Sequence, residues 1–426
     1  MANDYQSNIN KKLLKSFAKA FDSNTVLTNT VSKQLVNDFD ASTGGAYGQV
    51  SMKRPPQYVP QRTADGDLTS STANPVRTGK VQAEVSEYIT VYVENTQVEE
   101  ALEADQLDQL LAPIAEDMVV ELETELGEYM AANAAHVSGD PDNAISKWSD
   151  VANAGALLKE IGAPSGKKYG AINCFDETVL ADLQTQLGVN PEVNAAWANA
   201  VVKEGFAGLN QVLTTNNLPE YTAGNQTAGL TVSATPTATY DSVKDTYRQT
   251  IVLTGATPTT GTLKKGQSIQ FTSSLLVNMR NRKVVRKNGN GVPITLTVLD
   301  DATADGGGNI TVNFSGAGIF ETALDGAFNT VDRAIQAGDS VVVLDSVADS
   351  VHRPALAYCE GFVGMGSVVL PKLHALDSMV MNHKGSSIRV HRFSDGVGNK
   401  NRYRFDILPT FATFNPFWGV KMHGTP

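Results

Sequence analysis

From Gln106 to His136 the apolar residues Leu107, Leu110, Leu111, Ile114, Met118, Leu122, Leu126, Tyr129, Met130 and Ala134 recur in steps of three and four. That spacing predicts one amphipathic helix of about 45 Å with a single apolar stripe. Pro113 falls near its start, where proline is tolerated. The other faces carry Glu116, Asp117, Glu121, Glu123, Glu125 and Glu128, and no Lys or Arg occurs from Val81 to Ser146. Asp117, Glu121 and Glu125 stand four apart, an arrangement that repels in an isolated helix. Such a face is either solvated or matched by bases from elsewhere in the fold or from another copy of the chain. A helix of this length needs partners.

The chain around it has room for two or three domains at 426 residues, and its 41% hydrophobic and 19% charged residues describe a folded protein. No apolar run approaches the ~20 residues of a membrane helix and the N-terminus lacks a signal-peptide core, so a soluble cytoplasmic product is expected. A net charge of −11 argues against a dedicated nucleic-acid binder. Cys174 and Cys359 lack metal or redox spacing and suit small buried positions.

Residues 1–22 repeat Ile9, Leu13, Leu14, Phe17 and Phe21 at helical spacing among Lys11, Lys12, Lys15 and Lys19, which predicts a short basic helix that docks on a neighbour. From Gly44 to Thr96 the texture is strand and turn. Tyr47–Met52 and Val81–Val93 are expected strands joined by a long polar tip, an extended hairpin carrying Lys53, Arg54, Arg62, Arg77 and Lys80. Residues 147–220 read as α/β: a helix capped at Ser149 or Asp150 and stopped by Gly162, a strand Tyr169–Cys174, a helix Asp176–Leu187 and a strand Phe206–Leu213. From about Ala223 to Ser346 the composition turns to Thr, Ser, Gly and Val. Leu230–Val232, Thr250–Leu253, Ser268–Thr272, Ile294–Val298, Ile310–Phe314 and Ser340–Leu344 then read as strands of a small barrel or sandwich. Residues 352–426 return to α/β texture with strands at Gly364–Leu370, Ser387–His391 and Tyr403–Leu408, which makes the β-rich block an insertion.

Catalytic constellations are missing from the sequence: there is no GxSxG, HExxH, Walker A or paired CxxC. Asp305-Gly306-Gly307-Gly308-Asn309 lacks a following Lys-Ser/Thr and acidic ligand spacing, and reads as a β-turn. His383 and His391 have no third ligand. The cluster Arg280, Arg282, Lys283, Arg286 and Lys287 lacks interleaved aromatics and reads as a solvated or subunit-contact loop. No enzyme, cofactor or metal is expected.

Several stretches resemble a known family: Trp148-Ser149-Asp150-Val151-Ala152-Asn153-Ala154, Gly205-Phe206-Ala207-Gly208-Leu209 with Asn217-Leu218-Pro219, Leu230-Thr231-Val232-Ser233, Leu263-Lys264-Lys265-Gly266-Gln267-Ser268-Ile269, Pro354-Ala355-Leu356-Ala357-Tyr358 and Ile388-Arg389-Val390. Their order is similar to that of the major capsid (coat) proteins of short-tailed enteric phages. The resemblance implies an α+β, Hong Kong 97-like capsid fold with an inserted all-β barrel. It implies an N-terminal arm at 1–43, an extended hairpin loop at 44–95, a spine helix and peripheral domain at 96–147, and an axial domain at 148–222 that resumes with peripheral parts at 347–426. The barrel occupies 223–346. The implied function is self-assembly into pentamers and hexamers of an icosahedral shell, built in the host cytoplasm around a scaffolding protein, joined to a portal and filled with DNA bound without sequence specificity. No membrane is involved. Tyr240–Arg248 would correspond to a loop that some members extend to a neighbouring capsomer. On this reading Lys53, Arg54, Arg62, Arg77 and Lys80 face a neighbour's Glu116, Glu121 and Glu125. Each exposed pair is worth only ~0–1 kcal/mol, so assembly must sum many weak contacts. A carbohydrate-binding or adhesin module is the alternative, weakened by the lack of Trp in the β-region and of an export signal.

Overall fold

The computed structural model describes residues 17–21, 25–33, 51–54, 56–96, 107–164, 166–185, 205–368, 370–371, 378–383, 386–395, 397–398 and 400–426. The chain divides into two compact units. One comprises Met1–Met52, Gln82–Gly127 and Val363–Ala412; the other comprises Lys53–Val81, Glu128–Phe362 and Thr413–Pro426. The expected N-terminal helix is described only at 17–21, which is helical with Phe17 and Phe21 buried; the strand expected at Tyr47–Val50 lies outside the described residues.

The long helix α1 runs Leu107–Asn133 with Pro113 inside it, and belongs to the first unit as far as Gly127. Met118, Leu122, Leu126 and Met130 are buried along the expected stripe, widened by Ala115 and Val119. The side chains of Leu107, Leu110 and Leu111 lie outside the described residues. α1 stops three residues before His136, which is buried and instead begins a strand, His136–Ser138. Hydroxyls of the second unit satisfy the carbonyls that follow: Ser315 Oγ donates to Asn133 O at 2.9 Å, Thr297 Oγ1 to Ala134 O at 2.6 Å and Thr295 Oγ1 to Ala135 O at 3.1 Å. A helix end buried among side chains needs such donors.

In the first unit, Ser378–His383, Ser386–Asp395, Lys400–Ile407 and Ile89–Thr96 pair antiparallel in that order. Period-two alternation puts Ile388, Val390, Phe405 and Ile407 on one face, where the Phe405 ring stacks on Phe17 with centroids 5.0 Å apart. Arg389, Asp406 and Thr90 form a cross-strand row on the other. The strand expected over Val81–Val93 is three short strands in three sheets: Lys80–Gln82 pairs with Ser51–Lys53, Glu84–Val85 with Pro409–Thr413, and Ile89–Thr96 with Lys400–Ile407.

The second unit contains a five-stranded sheet in the order His136–Ser138, Gly419–Met422, Ala355–Cys359, Lys168–Ile172, Gln211–Thr214. Helices α2 (Trp148–Glu160) and α3 (Cys174–Thr185) bury Val151, Ala154, Leu158 and Leu180 in a core with Ile172, Leu209 and Val420. Asp150 works from inside the first turn of α2, where its carboxylate accepts the N–H groups of Ser146 at 3.1 Å and Lys147 at 3.0 Å. Phe206–Leu209, expected as part of a strand, is a turn with Ala207 and Gly208 at positive φ.

All six strands expected in the Thr/Ser/Gly/Val-rich block form one antiparallel sheet, in the order Val341–Val343, Ser268–Leu275, Pro293–Val298, Asn309–Ser315, Arg248–Thr254, Thr231–Val232. A closed barrel is not what this sheet presents; between its end strands there is one isolated bridge, Thr231 to Ser340. Phe271, Phe314, Ile251, Leu296 and Phe328 make its core.

Candidate assembly surfaces

The bases of the hairpin divide by position. Arg54 is buried at 6% exposure. Its Nε donates to Lys244 O at 3.0 Å, its Nη2 to Thr413 O at 3.3 Å, and its guanidinium lies 4.5 Å from the centre of the Tyr247 ring. Burial pulls its pKa below the usual arginine value, against the pull of Tyr247, Tyr240 and Asp245. Arg77 meets three carboxylates of its own chain: Asp325 at 2.8 Å, Glu321 at 3.2 Å and Asp241 at 3.7 Å. Asp241 belongs to the single-turn helix Tyr240–Val243, inside the loop that the family resemblance pointed outward. Lys53 is on the strand Ser51–Lys53. Arg62 and Lys80 are exposed and carry no ion pair among the described residues.

On α1, Glu116, Asp117 and Glu121 are exposed, and Glu116 and Glu121 have no ion pair among the described residues. Glu125 is half-buried and accepts a hydrogen bond from the Ser86 hydroxyl. Glu123, expected on the solvated face, is buried. Its carboxylate accepts the backbone N–H groups of Val26 at 3.2 Å, Leu27 at 2.6 Å and Thr28 at 2.8 Å, opening the 3-10 turn Leu27–Asn29. Burial raises its pKa while those donors pull it down. The donors are main-chain groups some 95–97 residues away, so no side-chain pattern announces them. Glu123→Ala orphans three N–H groups, and a loss of about 2–3 kcal/mol in the stability of the first unit is expected. Hydrogen exchange at Val26–Thr28 checks it; protection equal to the parent's would refute this role.

The basic cluster is partly engaged. Arg282 Nη2 donates to Tyr58 O at 2.7 Å and Arg280 Nε to Gly162 O at 3.1 Å, while Arg286–Lys287 forms an exposed two-residue ladder with Asn290–Gly291. Asp305 closes its own turn by accepting from Gly307 N and Asn309 N, both at 2.8 Å. Among the described residues no group of three or more His, Cys, Asp or Glu could hold a metal ion, and no helix is long and apolar enough to cross a membrane.

Residues 1–424 match the family described as P22 coat protein, gene protein 5. The major capsid protein of Acyrthosiphon pisum secondary endosymbiont phage 1 is 40% identical over 429 residues, covering all of both chains. Among solved structures, Mycobacterium phage Che8 aligns with a TM-score of 0.45 at 10% identity, over 93% of this chain and 90% of that one. The capsid of Ralstonia phage GP4 aligns with a TM-score of 0.45 at 7% identity, over 93% and 89%.

Proposed function

This chain belongs to the P22 coat protein family and is a phage major capsid protein, a structural protein and not an enzyme, and we propose that it assembles as pentamers and hexamers of an icosahedral shell. On this proposal the shell forms in the host cytoplasm around a scaffolding protein, takes a portal, and encloses DNA without reading its sequence. The chain's acidic balance supports that last point. Residues 223–346 act as an inserted domain whose sheet curls towards a barrel, supported by the bridge between Thr231 and Ser340.

One observation carries the contact assignment. Glu116 and Glu121 stand exposed on a helix face without ion pairs among the described residues, in a chain segment of 66 positions from Val81 to Ser146 that has no Lys or Arg. A neighbouring copy supplies the missing charge. Arg54 and Arg77 are committed within their own chain, so Lys53, Arg62 and Lys80 are the bases that reach a neighbour's Glu116, Glu121 and Glu125.

Arg62→Glu combined with Lys80→Glu should lower the yield of closed shells severalfold at low salt. The deficit should shrink as ionic strength shortens the Debye length from about 30 Å at 0.01 M towards 8 Å at 0.15 M. Light scattering and electron microscopy of the purified chain, with and without scaffolding protein, measure this. Unchanged yield at low salt removes the contact assignment; monomers alone under all conditions, from the parent chain, remove the shell.

A further inference from the structure

Both ends of the hairpin are fastened to one short stretch of the β-region. On the first arm, just after the strand Ser51–Lys53, Arg54 donates to Lys244 O, at 3.0 Å, and to Asp245 O, at 3.5 Å. On the returning arm, Lys80 N donates to Asp245 Oδ1 at 2.9 Å, and Arg77 reaches Asp241. Arg77 also bridges to Glu321 and Asp325, which come from the 3-10 turn Ala323–Phe328 and the residues before it. Gly79 lies so close to this stretch that a Cβ there would sit 2.4 Å from Lys244 O. Only glycine lets the two backbones meet at that distance.

Beyond these feet the first arm is tied to the β-region near its base, by Arg282 Nη2 donating to Tyr58 O at 2.7 Å and by Val59 packed against the β-region core. No strand is formed between residues 56 and 79; the arms are joined by Asn74, whose amide exchanges hydrogen bonds with Val59 N at 2.9 Å and Val59 O at 3.0 Å, and by Gln61 to Thr72 O at 2.6 Å. Residues 60–73 are exposed. An arm of about twelve residues reaches at most roughly 40 Å. A tilt of about 5° at its foot moves the tip by about 3.5 Å, more than a hydrogen bond can absorb. The direction of the hairpin is therefore decided at the feet.

We propose that Arg54 and Arg77, with Asp241, Glu321 and Asp325 around Arg77, form a clamp through which the β-region sets the direction of its own subunit's hairpin and hence the curvature of the shell. This rests on the reading of the hairpin as the segment that reaches a neighbouring copy. Arg77 is a positioning residue: its planar fork holds carboxylates from two separate segments at once, which a point charge does less well. The clamp gives the β-region a task within the subunit that needs no partner of its own.

The test uses the full chain assembled with scaffolding protein. Arg77→Glu is expected to fold, with circular dichroism like the parent's, and to give shells of mixed diameter or open curved sheets. Asp325→Arg added to Arg77→Glu rebuilds one bridge with reversed polarity and should narrow the diameters again. Arg77→Lys, which keeps the charge without the fork, should give an intermediate spread. Parent-like uniform shells from folded Arg77→Glu overturn the clamp, as does a folded double variant no better than the single one. If Arg77→Glu fails to fold, the spread from Arg77→Lys decides: a parent-like spread overturns the clamp. Deleting residues 63–72 with no change in the shells would instead overturn the reading of the hairpin itself, and the clamp with it.

Discussion

Asp406→Ala should destabilise the first unit by about 3–5 kcal/mol, because it leaves a buried guanidinium without its counter-charge. Asp406 is fully buried, and Arg389 beside it is 8% exposed. Arg389 donates to Asp406 Oδ2 through Nε at 3.0 Å and Nη2 at 2.6 Å, and Thr90 and Arg404 donate to Oδ1 at 2.8 and 2.7 Å. Burial pushes the Asp406 pKa up, but these donors outweigh it and hold the carboxyl below its ordinary value. Stability from this row is therefore present above the unfolded carboxylate's pKa, and is lost as pH falls through the folded one. Hydrogen exchange across Ser386–Asp395 and Lys400–Ile407 measures the cost. Asp406→Ala with Arg389→Met removes the orphaned charge and should recover much of the loss. A single-variant cost under about 1 kcal/mol would show that the row contributes little.

The second unit should lose stability steeply between pH 6.5 and pH 3, by up to about 2.7 kcal/mol per pH unit from two histidines together. His136 and His423 are buried, and their Nε2 atoms have no hydrogen-bond partner among the described residues. Burial lowers the pKa of each to about 3, helped at His423 by Lys421 and His352. Over that window the unfolded chain takes up protons that the folded chain refuses, so stability falls as pH falls. Lys421 extends the trend on the alkaline side. Burial lowers its pKa to about 7 against the attraction of Asp345, and its ammonium donates to Gly266 O at 2.6 Å. Its burial penalty is relieved as pH rises from about 7 towards 10.5. Urea unfolding at pH 4, 5, 6 and 7, followed by tryptophan fluorescence, checks the acid limb. His136→Leu with His423→Leu should flatten it; an unchanged slope in that variant assigns the acid lability elsewhere.

The helix stripe was legible because period alone determines it: Met118, Leu122, Leu126 and Met130 point the same way whatever they meet. The six strands of the Thr-rich block were legible for the same reason, from alternation between turn signals. The end of α1 was not. Ala134 and Ala135 carry no stop signal, and His136 leaves the helix because its strand pairs with Val420, about 280 residues downstream. Glu121 and Glu123 look alike in sequence, yet only main-chain donors around Leu27 make Glu123 a buried acceptor. Arg54 and Arg77 read as bases facing a neighbouring copy for the same reason, since their partners within the chain lie roughly 160–360 residues further on. Side-chain periodicity is local information; charge partnership in this fold is not.

The five-stranded sheet places Gly419–Met422 between His136–Ser138 and Ala355–Cys359. At 5–20 residues per second, a ribosome needs roughly 15–60 s to travel from the first of these strands to the last-made one. Throughout that time one edge of His136–Ser138 lacks its neighbour, and over roughly the last 3–12 s, while about 60 residues are added, one edge of Ala355–Cys359 lacks it too. The coat subunit thus completes this sheet only once Gly419–Met422 has been made, and until then a nascent chain carries an open strand edge that must be kept from pairing with other chains before it can join a shell.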